Sequence, residues 1–137
     1  MPLLLVRHAS AGDRATWRGE DRERPLDARG LIQAEKLVDL LAPFDVDAIY
    51  TSPYRRCTQT VEPLAAARTL LIERPDELGE EEQYERGAEL VRSLADRNVV
   101  ICGHGGLESL VLDEPPRWRK GETLVLDGGL RLVTSLR

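Results

Sequence analysis

The chain has 137 residues, 42% of them hydrophobic and 31% charged, with a formal net charge of −5. This balance is that of a globular protein rather than a disordered one, and the length suits one domain, residues 1–137, with one substantial core. The negative charge argues against a nucleic-acid polymer as partner, which calls for a basic footprint, and no run approaches the roughly 20 apolar residues of a membrane span. The expected setting is cytoplasmic, with Cys57 and Cys102 reduced, as two cysteines in a non-secreted chain usually are.

Leu3-Leu4-Leu5-Val6 is a short, wholly apolar run, the pattern of a strand buried on both faces, and it ends at Arg7-His8. Residues 11–25 are polar, mixed in charge and broken by Gly12, Gly19 and Pro25, which makes them a long loop of a length often given to function. Asp27-Ala28-Arg29-Gly30 opens a helix with Leu31, Ala34, Leu37, Val38 and Leu41 on its apolar face, stopped by Pro43. Residues 47–51 form the next strand, and Ser52-Pro53 starts a helix through Val61, Leu64 and Ala65.

Leu70-Leu71-Ile72 reads as a short strand, followed by the acidic residues Asp76, Glu77, Glu80, Glu81 and Glu82. A helix over residues 84–97 is expected to turn Leu90, Val91 and Leu94 inward. Residues 98–102 make another apolar strand, leading to Gly103-His104-Gly105-Gly106 and a helix over 107–112. Strands at 122–126 and 130–134 flank Asp127-Gly128-Gly129, a hairpin signal. Strands alternating with helices predict a three-layer α/β/α fold with a mainly parallel central sheet and a C-terminal hairpin.

The chain holds two histidines, and each follows an apolar strand. Parallel strands deliver both imidazoles to one carboxyl edge, where open α/β sheets bind their ligands. Gly105 and Gly106 let the backbone approach an anion at the start of the following helix. Ser52 ends a third strand, and Arg55 and Arg56 follow in a helical first turn, where the helix dipole disfavours cations. Bidentate binding of a phosphate explains one arginine there, the other being solvated, and Arg7 adds a further positive group.

Two histidines with arginines at one strand edge suggest phosphoryl transfer to nitrogen. A neutral imidazole attacks phosphorus, arginines spread the charge, the second histidine steadies the transferring group, and water takes the phosphoryl group from the resulting phosphohistidine. A carboxylic acid from the acidic run would protonate the leaving oxygen. Arg14, Trp17 and Arg18 in the long loop are candidates to meet the rest of the substrate. The His and Cys residues lack the close-spaced pairs of structural zinc sites, and no G-x-S-x-G nucleophile elbow occurs.

Leu5-Val6-Arg7-His8-Ala9, Arg24-Pro25-Leu26-Asp27-Ala28-Arg29-Gly30, Thr51-Ser52-Pro53-Tyr54-Arg55-Arg56-Cys57-Thr58-Gln59-Thr60 and residues 99–106 resemble, in this order, the four motifs of the histidine phosphatase superfamily. That group includes phosphoglycerate mutases and the small SixA-type phosphohistidine phosphatases, and the likeness spans nearly the whole chain. It implies that His8 is the phosphorylated nucleophile, that Arg7, Arg56 rather than Arg55, and His104 form the phosphate pocket, and that no metal or organic cofactor is needed. It also points to Glu80, with Glu81 next, as the proton donor, the alternative being the SixA-type pattern without one, and marks Ala9 as standing where the family carries glycine. The small size resembles SixA, or the phosphatase domains fused to some Nudix hydrolases, more than a mutase. The expected activity is therefore hydrolysis of a phosphorylated small molecule (a phosphomonoester or nucleotide) or of a phosphohistidine protein. A mutase-type phosphotransferase and a catalytically idle phosphate-binding module are the alternatives.

Overall fold

Apolar runs separated by amphipathic helices assemble into one mixed sheet. In the computed structural model, which describes residues 2–137, β1 (Leu3–Arg7) pairs in parallel with β4 (Val99–Gly103), and β4 with β2 (Ala48–Thr51). The two-residue β3 (Ile72–Glu73) continues the parallel part beyond β2. On the other side of β1, the antiparallel β5 (Thr123–Leu126) and β6 (Leu132–Leu136) form the hairpin, giving the order β3-β2-β4-β1-β5-β6.

Side chains alternate across a strand, so each central strand feeds two cores. Leu3, Leu5, Val99, Ile101, Leu124 and Leu126 face one layer and pack with Leu78, Val91, Leu107 and Trp118. Leu4, Val6, Val100, Cys102 and Ile49 face the other, against Leu37 of α1 (Ala28–Leu40) and Val61 and Leu64 of α2 (Arg55–Arg68). Each fully buried aliphatic side chain contributes about 2 kcal/mol, so a core with so few aromatics rests on its leucines, valines and isoleucines. No helix among the described residues is long and apolar enough to cross a membrane.

The differences from expectation lie where close packing overrides periodicity. Asp27 caps α1, its carboxylate accepting from the Gly30 N–H at 2.8 Å. The inward face is Gly30, Ala34 and Leu37, whereas Leu31 is 50% exposed. A Cβ on Gly30 would lie 1.9 Å from the Ser10 carbonyl oxygen, so the helix presses a bare backbone against the chain leaving β1.

After a 3-10 turn at Asp76–Leu78, the expected helix over 84–97 is reduced to a wide turn over Gln83–Gly87, with Tyr84 at φ −41, ψ −110, and the short α3 (Ala88–Ser93). The irregular turn buries Gln83 beside the His104 loop, where its Nε2 donates to the Gly105 carbonyl at 3.3 Å. Leu71 is exposed and β3 starts at Ile72, which lies opposite Ile49. In the hairpin, Leu130 takes a left-handed φ of 59 while Asp127 Oδ1 accepts from Gly129 and Arg131, delaying β6 to Leu132. The last helix, α4 (Leu107–Val111), follows the His104 loop as expected.

A Gly30→Ala chain is expected to lose about 2 kcal/mol or more of stability in urea unfolding, because the Ser10 backbone must move. Gly128→Ala, whose Cβ meets nothing within 4 Å, serves as the near-silent control.

Candidate active site

The register of β1 on β4 sets Arg7 opposite Gly103, and one further bond, from the His8 N–H to the Gly103 carbonyl at 3.1 Å, carries the pairing past the strand end. His8 and His104 consequently leave the sheet at the same edge, with ring centroids 5.5 Å apart and planes at 62°. The third strand end joins them through the Ser52 N–H, which donates to the Cys102 carbonyl at 2.9 Å.

His8 is buried, and its Nδ1 lies 2.8 Å from the Ala9 carbonyl. A carbonyl can only accept, so Nδ1 carries the proton and the lone pair is on Nε2. Burial pushes the His8 pKa down to about 3, against the pull of the Ala9 hydrogen bond, and the charges of Arg56, Arg7 and Lys120 add to the fall. At neutral pH the ring is uncharged and of fixed tautomer, with the Nε2 lone pair that a nucleophile needs.

Ala9, the departure from the family pattern, is fully buried against Ala11, Leu26 and Ala34, and its N–H donates to Thr60 Oγ1 at 2.9 Å. It is not among the non-glycine residues with positive φ, which are Thr69 and Leu130 in the described chain. Alanine stands there without strain.

His104 is fully buried, with Nε2 at 2.8 Å from Ser52 Oγ and 3.6 Å from Cys57 Sγ, and the Tyr54 ring set edge-on at 4.8 Å. Its Nδ1 has no hydrogen-bond partner and lies 3.8 Å from Glu80 Oε2. Burial, followed by the charges of His8 and Arg56, pushes its pKa down to about 2. With Nε2 tied to Ser52, Nδ1 is the ring nitrogen left unpartnered, on the side of Glu80. Ser52 therefore positions His104.

Arg56 is fully buried, whereas Arg55 is exposed. Its Nη1 donates to the Asp21 carbonyl at 2.9 Å, its Nη2 to Asp21 Oδ2 at 3.0 Å and Glu80 Oε1 at 3.2 Å, and its guanidinium lies 5.1 Å from the Tyr54 ring centre. A buried guanidinium needs such counter-charges. Asp21 also binds Arg24, and although burial works against its ionisation, the Arg24 hydrogen bond and the charges of Arg56 and Arg14 hold its carboxyl below the usual value.

Glu80 sits half-buried between these groups, Oε1 accepting from Arg14 at 2.9 Å as well as from Arg56, while Glu81 is exposed outside. A carboxylate thus occupies the place where arginines and His104 converge.

In front lies a cavity of about 660 Å³ lined by Arg7, His8, Arg14, Glu80, Gly105 and Gly106, joined by Arg24 and Lys120. Arg7 Nη1 donates to the Trp118 carbonyl at 2.7 Å, and its guanidinium crosses Gly105, where a Cβ would stand 2.9 Å from Cζ. Trp17 and Arg18 are exposed and line no part of this cavity. Asp21, Tyr54, Thr60, Gln83 and Lys120 went unread in the sequence. Only Tyr54 and Thr60 fall inside a motif, and Asp21 is one charge among many in its loop. Among the described residues no three His, Cys, Asp or Glu side chains converge to hold a metal ion, and Cys57 and Cys102 are buried and unbonded.

A mixed α/β sheet that sets two buried imidazoles and an arginine cluster at one edge makes an arrangement suited to holding a phosphoryl group. Residues 3–83 match the model of the histidine phosphatase superfamily (branch 1), and the chain belongs to that family. The 8-oxo-(d)GTP phosphatase of Mycolicibacterium smegmatis is 39% identical over 139 residues, covering 90% of this chain but 43% of that protein, so the chain spans less than half of this curated relative. A SixA-type chain from Agrobacterium tumefaciens superposes with a TM-score of 0.78 at 27% identity, over 99% of this chain and 97% of that one. The protein histidine phosphatase SixA in complex with tungstate gives 0.78 at 21%, over 99% and 96%. YhfR of Bacillus stearothermophilus gives 0.76 at 20%, over 96% and 95%, and at these last two identities the likeness is one of fold.

Two outcomes test this geometry. Both imidazoles bind protons more readily in the unfolded chain, so their contribution to stability is complete above about pH 6.5 and is lost as pH falls toward 3. The urea midpoint is expected to drop from pH 7 to pH 5, and to drop less in His8→Gln. Ala9→Gly is expected to leave the active-site geometry unchanged and to cost about 1 kcal/mol, from the lost buried methyl and the added chain entropy.

Proposed function

We propose that the chain acts as one metal-independent phosphatase domain that passes a phosphoryl group from its substrate to His8 Nε2 and then to water. The observation that carries this is the His8 ring, held by its Nδ1 proton on the Ala9 carbonyl with Nε2 free beside Arg7. The phosphoryl group takes the place that the Glu80 carboxylate holds, so that Arg56, Arg7 and His104 Nδ1 surround its oxygens while Nε2 attacks in line. Glu80, displaced but still at the rim, is the group that protonates a leaving oxygen. Hydrolysis of the phosphoimidazole returns the neutral ring.

Family membership supports this chemistry, as do a curated relative named for nucleotide dephosphorylation and the fold shared with SixA. The substrate class is a phosphorylated small molecule or a phosphohistidine protein. The cavity rim is built of exposed residues such as Asp13, Arg14 and Lys120, which admits water to the intermediate and favours hydrolysis over the retained phosphoenzyme of a mutase. A cytoplasmic setting accords with the two free thiols.

Incubation with p-nitrophenyl phosphate, with and without chelator, tests the reading. Turnover is expected to ignore chelator and to vanish in His8→Ala together with the acid-labile phosphoenzyme. Turnover surviving in that variant would sink the covalent route. No turnover on any phosphate, with phosphate still raising the melting temperature, would leave a binding module. Glu80→Gln is expected to slow alkyl phosphates about 100-fold and p-nitrophenyl phosphate far less, because only a poor leaving group needs the proton.

A further inference from the structure

A second cavity, of about 710 Å³, adjoins the first and shares Arg7, Glu108 and Lys120 with it. Arg29 of α1 lines it, as do Arg117 and Arg119 from the segment before β5, and Arg137. In a chain of net charge −5 this is a local reversal of sign. Among the described residues Arg29, Arg117, Arg119 and Lys120 make no ion pair, and Arg137 reaches Glu122 only at 3.9 Å. The carboxylate on this wall, Glu108, is engaged by the Gly106 N–H at 2.6 Å. Uncompensated cations around a concave surface concentrate anions there.

The basic wall is held, not loose. Trp118 is buried and its indole donates to the Glu122 carbonyl at 2.9 Å, while the Arg119 N–H donates to Glu122 Oε1 at 2.8 Å. The Trp118 carbonyl accepts from Arg7, and the Gly121 N–H donates to the Arg7 carbonyl at 3.1 Å. The segment that carries Arg117 and Arg119 is therefore fastened to the arginine beside the nucleophile.

An independent observation comes from Glu80. Both its oxygens already accept from guanidinium groups, Oε1 from Arg14 and Arg56 and Oε2 from Arg14 at 3.1 Å. Arg14 can keep its hold on both oxygens at the rim once the phosphoryl group has displaced Glu80 from Arg56, and a diphosphate, whose leaving group departs as an anion, is the substrate that does not depend on a proton from it.

We propose that the second cavity holds the leaving phosphate of a diphosphate substrate, so that the bond broken is a phosphoanhydride. This rests on the phosphatase reading and names its substrate class. The His8 Nε2 lone pair bonds to the terminal phosphorus, the bond from that phosphorus to the bridging oxygen breaks, and its electron pair leaves with the phosphate monoester. The arginines and Lys120 meet the charge that builds on that group. The phosphoimidazole keeps its Nδ1 proton. Water then bonds to phosphorus, the N–P pair returns to Nε2, and dihydrogen phosphate leaves with both water protons. A phosphohistidine peptide would release an uncharged imidazole and give this wall nothing to hold.

The test compares wild type with an Arg117→Ala, Arg119→Ala double variant on a nucleoside diphosphate, the matching monophosphate and p-nitrophenyl phosphate. Wild type is expected to prefer the diphosphate by about tenfold or more in kcat/KM, as two charge-assisted contacts can supply. The double variant is expected to lose that preference mainly through KM, with aryl phosphate turnover unchanged. Calorimetry adds methylenediphosphonate against methylphosphonate: the former is expected to bind more tightly to wild type and not to the double variant. Tighter diphosphonate binding without turnover of any substrate would keep the subsite and overturn the hydrolytic reading. Equal use of mono- and diphosphate, or equal loss on diphosphate and aryl phosphate, overturns the proposal. So does an arginine-dependent preference for a phosphohistidine peptide, which would make the wall a docking face for an acidic protein.

Discussion

The hydrogen bond from the His8 N–H to the Gly103 carbonyl extends the parallel β1–β4 pairing one residue beyond the strand, and the site depends on it. A one-residue slip would send every side chain of β1 to the opposite face, setting Leu4 and Val6 among the Leu3 and Leu5 contacts and turning His8 away from His104. Because Leu3–Val6 and Val99–Cys102 are buried on both faces, such a slip is excluded by packing on two sides at once. The rigidity of the central sheet is thereby converted into a fixed separation of two imidazoles. The Ser52 N–H on the Cys102 carbonyl brings the third strand end to the same plane and places its hydroxyl under His104.

Around this frame the electrostatics are arranged to tolerate buried charge. Arg56 has no access to solvent and survives there through Asp21 and Glu80, one from the loop after β1 and one from the turn after β3. Stranding such a charge without its partner costs about 3–5 kcal/mol, so those two segments are drawn to the site by the arginine itself. The same arrangement leaves a ready anion position, with Glu80 lodged where a phosphoryl group would sit. On the proposed reading, the folding of the loop and the binding of substrate draw on one set of interactions.

Much of this was legible in the chain. The apolar runs named the central strands, and two histidines, each following such a run, named the edge. Periodicity failed where backbone meets backbone: Leu31 has the spacing of a core residue, but the contact of Gly30 with Ser10 turns α1 away from it. It failed again over residues 84–97, where burying Gln83 beside Gly105 outweighs a regular helix. Ser52 was legible as the end of a third strand but its bond to His104 was not, since a motif fixes position and not the direction of a hydroxyl. Asp21 left no signal because its role comes from Arg56, 35 residues away. Ala9 departs from the family's glycine without strain, because its backbone needs no left-handed conformation.

The contact between His8 Nδ1 and the Ala9 carbonyl reaches beyond orienting a ring. Imidazole offers two nitrogens, and a free histidine can be phosphorylated on either. Here one is committed to a backbone acceptor inside a core that cannot shift without moving Ala9, Ala11 and Leu26. On the proposed reading a phosphoryl group taken up by His8 is confined to the ε nitrogen, so the covalent intermediate would be a single regioisomer, chosen by the main chain rather than by the substrate.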